Sequence, residues 1–128
     1  MKLLLDTQTF LWVAGAPQNL SSAAQSACQD RNNTLLLSYV SIWEMQIKLQ
    51  LGKLTITSSL EQLIQIQHQV NSIQFLAITP NHIFALARLP PHHRDPFDRL
   101  IMAQALIEDV MIISADSAFA RYPVRVLW

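Results

Sequence analysis

The stretch Met1-Lys2-Leu3-Leu4-Leu5-Asp6-Thr7 decides how the fold is read. Three consecutive leucines without polar alternation describe a strand buried on both faces, the habit of a parallel sheet. A carboxylate ends the run. The same grammar recurs along the chain. Asn32-Asn33 turns into a second apolar strand at residues 34–38, and further strands are expected at residues 73–78, 111–114 and about 124–127. Helices fill the intervals. One spans residues 7–14, broken by Gly15 and Pro17, and another spans 23–31 behind a Ser21 or Ser22 cap. A third covers about 40–51 and closes at Gly52, in the position of a C-terminal cap. A fourth covers about 60–70, where Ser59 and Gln62 have capping-box spacing. Pro80 opens a short helix that Pro90-Pro91 stops, and residues 95–108 form the clearest helix of all. Strands alternating with helices predict an α/β fold, a parallel sheet covered on both faces. Such sheets bind ligands beyond the carboxyl ends of their strands, near the switch in strand order.

Size and composition narrow the possible functions. A chain of 128 residues fits one domain, residues 1–128, and an apolar content of 51% is enough for a single core. No apolar run approaches the roughly 18 residues that span a bilayer, and the three leucines before Asp6 are too short for a signal-peptide core. A cytoplasmic location and no membrane partner are therefore expected. Cys28 is the single cysteine and falls on an expected helix, where a small buried thiol is the ordinary reading. The formal net charge is zero, so any grip on nucleic acid must come from a local site or a short patch such as Arg94, Arg99, Arg121 and Arg125. With only two glycines, Gly15 and Gly52, a phosphate-cradling loop or dinucleotide fingerprint is excluded. His92-His93 lacks the spaced partners of a zinc site. Asp6-Thr7-Gln8-Thr9 lacks the second acid, two residues on, that aspartyl-phosphate enzymes need.

The chain has nine acidic residues, and five of them sit where a hydrophobic run ends or is interrupted: Asp6, Glu44, Asp95, Asp98 and Asp116. Each has a local explanation. Asp6 and Asp116 have the composition of helix caps, and Asp95 before Pro96 is read foremost as an N-cap followed by proline at the first helical position. Glu44 precedes Lys48 by four residues, the favourable order for a surface pair. Yet Glu44 shares a helical face with Val40, Ile47 and Leu51, and Asp98 shares one with Ile101, Met102 and Ala105. Carboxylates beside buried segments repel one another and lose hydration, which a bound cation offsets. Converging at one end of a sheet, these would form a hard-oxygen site suited to Mg²⁺ or Mn²⁺, and phosphodiester hydrolysis fits that equipment.

Taken in order, Leu3-Leu4-Leu5-Asp6-Thr7, Ser41-Ile42-Trp43-Glu44, the block from Asp95-Pro96-Phe97-Asp98-Arg99 to Ala105, and Ser114-Ala115-Asp116 resemble the motifs of PIN-domain proteins, closest to the VapC-type toxins of bacterial toxin–antitoxin pairs. The resemblance covers essentially the whole chain, and its most specific piece is the block from Asp95 to Ala105. It implies a three-layer α/β/α fold around a central, mostly parallel sheet, and a Mg²⁺- or Mn²⁺-dependent endoribonuclease. Carried over by motif, Asp6, Glu44, Asp98 and Asp116 would be the catalytic and metal-binding quartet. Asp6 and Asp98 would hold the ion most directly, with Glu44 and Asp116 completing the pocket. Asp95 would position its helix, and Thr7 and Ser114 would orient carboxylates through their hydroxyls. The implied partners are RNA, an antitoxin chain lying over the acidic pocket, and a second copy in a homodimer. One departure stands out: Gln8 occupies a position often held by histidine in that branch, which bears on substrate preference rather than on the acids. Two other functions share the same carboxylates, a non-catalytic interaction module on this fold and a metal-dependent phosphatase.

Overall fold

In the computed structural model, which describes residues 1–92 and 95–128, the leucine run becomes the centre of the sheet. Strand β1 (Lys2–Leu5) pairs on one side with β2 (Thr34–Ser38) and on the other with β4 (Met111–Ile113). Strand β3 (Gln74–Leu76) adds beyond β2, and β5 (Val126–Leu127) beyond β4. All four pairings are parallel, in the order β3-β2-β1-β4-β5. The chain therefore reverses its direction of winding at β1, and the crevice between the carboxyl ends of β1 and β4 lies at that switch.

The strand pleat divides the interior into two cores. Leu4, Leu36 and Ile112 stand side by side and face one cluster, joined by Ala85 of α5 (Pro80–Ala85) and by Ile101, Met102 and Ala105 of α6 (Pro96–Glu108). Leu3, Leu5, Leu35, Leu37 and Ile113 face the other. That second core is completed by Phe10 of α1 (Thr7–Gly15), Ala24 of α2 (Ser22–Gln29), and Leu60, Leu63 and Ile64 of α4 (Leu60–Val70). The expected three-layer α/β/α fold with a parallel sheet is what forms. Helix α3 (Tyr39–Gln50) begins directly where β2 ends, contributing Val40 to one core and Met45 to the other. It thus bridges the two helical layers beside the carboxyl end of the sheet.

Most sequence-expected boundaries move by one or two residues. Ser21, not Ser22, caps α2 by accepting the Ala24 amide, and the Ser59–Gln62 capping box forms on α4. The largest change is at the sheet edges. Residues 73–78 contribute only Gln74–Leu76, and residues 124–127 only Val126–Leu127. An edge strand pairs on one side alone, so its apolar pattern extends beyond the stretch that hydrogen bonds hold straight.

Candidate metal-binding active site

Parallel topology sets a helix N-terminus just after a strand's carboxyl end, and Asp6 and Asp116 lie at such junctions, while Asp95 opens its helix from a loop. Asp6 leaves β1 and caps α1, its Oδ1 accepting the Thr9 amide at 2.8 Å. Asp95 caps α6, its Oδ1 accepting the amides of Phe97 at 2.8 Å and Asp98 at 3.2 Å. Asp116, three residues past β4, accepts the Ala118 amide at 2.9 Å and caps a short 3₁₀ turn at Ser117–Arg121. Asp98 follows in the first turn of α6, where the positive end of the helix dipole favours a carboxylate. Glu44 alone lies mid-helix, on α3. Asp6, Glu44, Asp95, Asp98 and Asp116 all line one cavity of about 410 Å³, together with Thr7, Gln8, Lys48, Lys53 and Ala115. The local capping reading holds for Asp6, Asp95 and Asp116, and each of them faces the cavity as well.

Hydroxyls orient the two most buried acids. Ser114 donates to Asp6 Oδ2 at 2.5 Å while accepting the Asp116 amide at 3.0 Å, so one side chain ties both acids to the end of β4. Thr7 donates to Glu44 Oε1 at 2.6 Å, and the Ser41 hydroxyl lies 2.9 Å from Thr7 Oγ1, placed to donate to it in turn. Trp43 and Phe97, neighbours of Glu44 and Asp98, meet edge to face at 5.0 Å and brace α3 against α6.

The electrostatics are those of a site built for positive charge. Asp6 is 7% exposed, and burial pushes its carboxyl above the usual range. The Ser114 and Thr9 hydrogen bonds oppose that shift, and Asp116 adds repulsion to it. Lys48 Nζ lies 2.6 Å from Glu44 Oε2, and that hydrogen bond foremost holds the ammonium above its ordinary pKa, with Asp95 and Asp98 contributing. The surface-pair reading of Glu44 and Lys48 is therefore half right. The pair forms, but Glu44 is only 4% exposed and its partner reaches in from the rim.

The donor set is all carboxylate oxygen, which suits a hard divalent cation. Among the described residues, however, no group of three or more His, Cys, Asp or Glu side chains is arranged to hold an ion unaided. Glu44 is engaged by Lys48 and Thr7, and Asp6 by Ser114 and Thr9. An open cavity with dispersed carboxylates fits an ion that keeps several of its waters, as Mg²⁺ does, better than one that demands a protein cage.

The PIN domain family model matches residues 3–125, nearly the full length. The chain belongs to the PIN domain family. No curated protein matches it. Among solved structures, VapBC2 from Rickettsia felis, bound to a DNA fragment from their promoter, superposes with a TM-score of 0.76 at 15% identity, over 99% of this chain and 98% of that one. VapBC-1 from nontypeable Haemophilus influenzae gives 0.63 at 17%, over 99% and 97%. VapBC-5 from Mycobacterium tuberculosis, of the VapBC family of toxin–antitoxin systems, gives 0.58 at 18%, over 94% and 89%. At such identities the likeness speaks for the PIN fold.

Sequence reading missed several residues of this PIN-domain cavity. Ser41 and Thr9 support it by hydrogen bonds, and Lys48 and Lys53 line it. The described members of the arginine patch expected to meet nucleic acid sit on or beside different elements. Arg99 donates to the carbonyls of Pro90, Leu86 and Leu89. Arg125 donates to Asp109, which closes α6 at the amino end of β4. Arg121 is exposed on the 3₁₀ turn, and Arg94, like His93, lies outside the described residues.

Proposed function

We propose that this PIN-domain protein is a divalent-metal-dependent endoribonuclease and the toxin of a VapC-type toxin–antitoxin pair. The observation that carries this is the convergence of Asp6, Glu44, Asp98 and Asp116, far apart in sequence, on one cavity at the strand-order switch. Asp6 and Asp98 would hold the ion most directly, and Glu44 and Asp116 would complete its surroundings directly or through water. When bound, Mg²⁺ or Mn²⁺ supplies a Lewis acid toward phosphoryl oxygens and makes water a better nucleophile near neutral pH. The chain's own residues do the rest. Ser114 and the Thr9 amide fix both Asp6 oxygens, and the Ser41–Thr7 hydroxyl pair fixes Glu44. Asp116, exposed at the mouth, meets water and substrate first. Asp95 acts by setting the start of α6, and so the position of Asp98.

Partner chemistry follows from the same reading. Structures of the same fold include a member of the VapBC family of toxin–antitoxin systems and a toxin–antitoxin complex from Klebsiella pneumoniae, and this chain carries apolar side chains in the open: Ile83 and Phe84 on α5, at 50% and 71% exposure, and Ile66 and Val70 on α4. Such positions suit an antitoxin segment and a second copy of the chain. No helix of the described residues is long and apolar enough to cross a membrane.

The test is direct. Purified protein with Mg²⁺ or Mn²⁺ is expected to cleave structured RNA and to leave a generic phosphomonoester intact. Asp6→Asn and Asp98→Asn should each abolish cleavage. Cleavage that survives both substitutions, or phosphatase activity that depends on the same acids, defeats the assignment.

A further inference from the structure

A polyanion approaching this cavity meets five carboxylates, so attraction must come from cations placed beside them. The neutral net charge of the chain gives no long-range help. Two of the four expected arginines, Arg99 and Arg125, are spent on backbone carbonyls and on Asp109, as described above. The basic residues that line the cavity among the described residues are Lys48 and Lys53.

Their proximity is built by the backbone. Helix α3 ends at Gln50, and Gly52 takes a φ of +71°, a left-handed conformation that glycine adopts without strain. The Lys53 amide then donates to the Lys48 carbonyl at 2.8 Å, and the Gly52 amide to the Leu49 carbonyl at 3.2 Å. This is a Schellman closure, which folds the chain back over the last helical turn. It returns Lys53 to the level of Lys48 and sets both lysines on the same wall of the cavity. Lys48 remains 45% exposed although its ammonium touches Glu44, and Lys53 is exposed.

We infer that Lys48 and Lys53 form a two-lysine arm that binds phosphates of the RNA backbone and lays it across the acidic cavity. The inference rests on the ribonuclease reading. In this arrangement Lys48 exchanges its contact with Glu44 for a non-bridging phosphate oxygen as substrate arrives, which frees Glu44 Oε2. Lys53, further from the acids along the chain, takes the neighbouring phosphate. Lysine suits the task, since its compact charge sits on a flexible stem that can follow the exchange.

The experiment measures anisotropy of a labelled mixed-sequence single-stranded RNA with the full chain carrying Asp98→Asn, which prevents cutting. Lys48→Gln and Lys53→Gln are each expected to weaken binding on the order of tenfold at low salt. Each should also flatten the plot of log affinity against log salt by roughly 0.7, the counterion release of one single-strand phosphate contact. Lys48→Arg should restore the slope. Mn²⁺ binding, followed by calorimetry on chains with all acids intact, should be undiminished in the Gln variants. Tighter Mn²⁺ binding with unchanged RNA affinity and slope would make Lys48 a mere counter-ion for Glu44. That outcome overturns the arm while leaving RNA cleavage by the wild-type chain untouched. A wild-type chain that neither binds nor cuts RNA removes the ribonuclease reading and this inference together.

Discussion

Replacing Asp6 by asparagine separates two properties of one carboxylate, its cost to the fold and its use to the site. In the folded protein Asp6 is 7% exposed, and burial raises its pKa above the ordinary 3.8, with repulsion from Asp116 acting the same way. A carboxyl with a raised folded pKa binds its proton more tightly folded than unfolded. Stability therefore declines as pH climbs from 3.8 through the raised value, and the full cost is present above it. Asparagine has the same shape and no charge. Its oxygen can keep the Thr9 amide, and its nitrogen can donate to Ser114 Oγ, reversing rather than deleting that bond. The metal-free variant is expected to be more stable than wild type at neutral pH by about 1 kcal/mol, the usual gain when a functional group under strain is neutralised. For a domain of this size that is about 4 °C in Tm.

Metal should invert the order. An ion that binds only the folded state at about 100 times its Kd adds about 2.7 kcal/mol, or roughly 10 °C, to wild type. The Asn variant, lacking one ligand, should gain far less. Calorimetric melts with EDTA and with saturating Mg²⁺ give four curves, and the expected signature is a crossing of the two proteins. On acidification toward pH 3.8 the metal-free difference should shrink, because wild type recovers its neutral Asp6. A variant less stable than wild type without metal would refute the burial argument. Equal metal-induced shifts in the two proteins would refute Asp6 as a ligand.

The hydroxyl supports should act on activity more than on folding. Ser114→Ala and Thr7→Val remove the donors to Asp6 and Glu44, and each is expected to lower metal affinity or cleavage by about 10–100-fold, read by Mn²⁺ titration and RNA cleavage on chains with normal circular dichroism. Asp95→Ala loses a cap that accepts two amides and should cost about 1 kcal/mol in chemical denaturation. Asp95→Asn keeps the acceptor oxygen and should stay within a few tenths of a kcal/mol of wild type.

The strand–helix alternation was legible because leucine runs such as Leu3–Leu5 and Leu35–Leu37 have no amphipathic alternative, and both faces of the sheet are covered. Capping chemistry fixed the helix starts equally well at Ser59 and Asp95. What the chain did not disclose depends on contacts between distant elements. Gln104 and His82 read as ordinary helix positions. In the fold both are buried: Gln104 bridges the Ser38 hydroxyl that caps α3 and the Ala77 carbonyl, and it lies 3.4 Å from His82 Nδ1. Arg99 looked available for nucleic acid until the turn before α6 brought three carbonyls to its guanidinium. Lys48 obeyed a local spacing rule, and only the placement of α3 beside the carboxyl end of the sheet turned that pair into a cavity wall.

The acids themselves expose a flaw in weighing a cap against a site. In a parallel α/β fold the residue that leaves a strand is also the residue that opens the next helix, so its side chain can satisfy helix amides with one oxygen and face the cleft with the other. Asp6 does this literally, with Oδ1 on Thr9 and Oδ2 on Ser114 at the mouth of β4. Capping is then no argument against function. It is the device that holds a carboxylate at fixed orientation before an ion arrives, and it lowers the entropy that binding would otherwise cost. Glu44 shows the alternative. With no helix end to hold it, its orientation needs a threonine, a serine behind that threonine, and a lysine. The acid whose placement took the most machinery is the one that the sequence marked by its apolar helical face rather than by a cap.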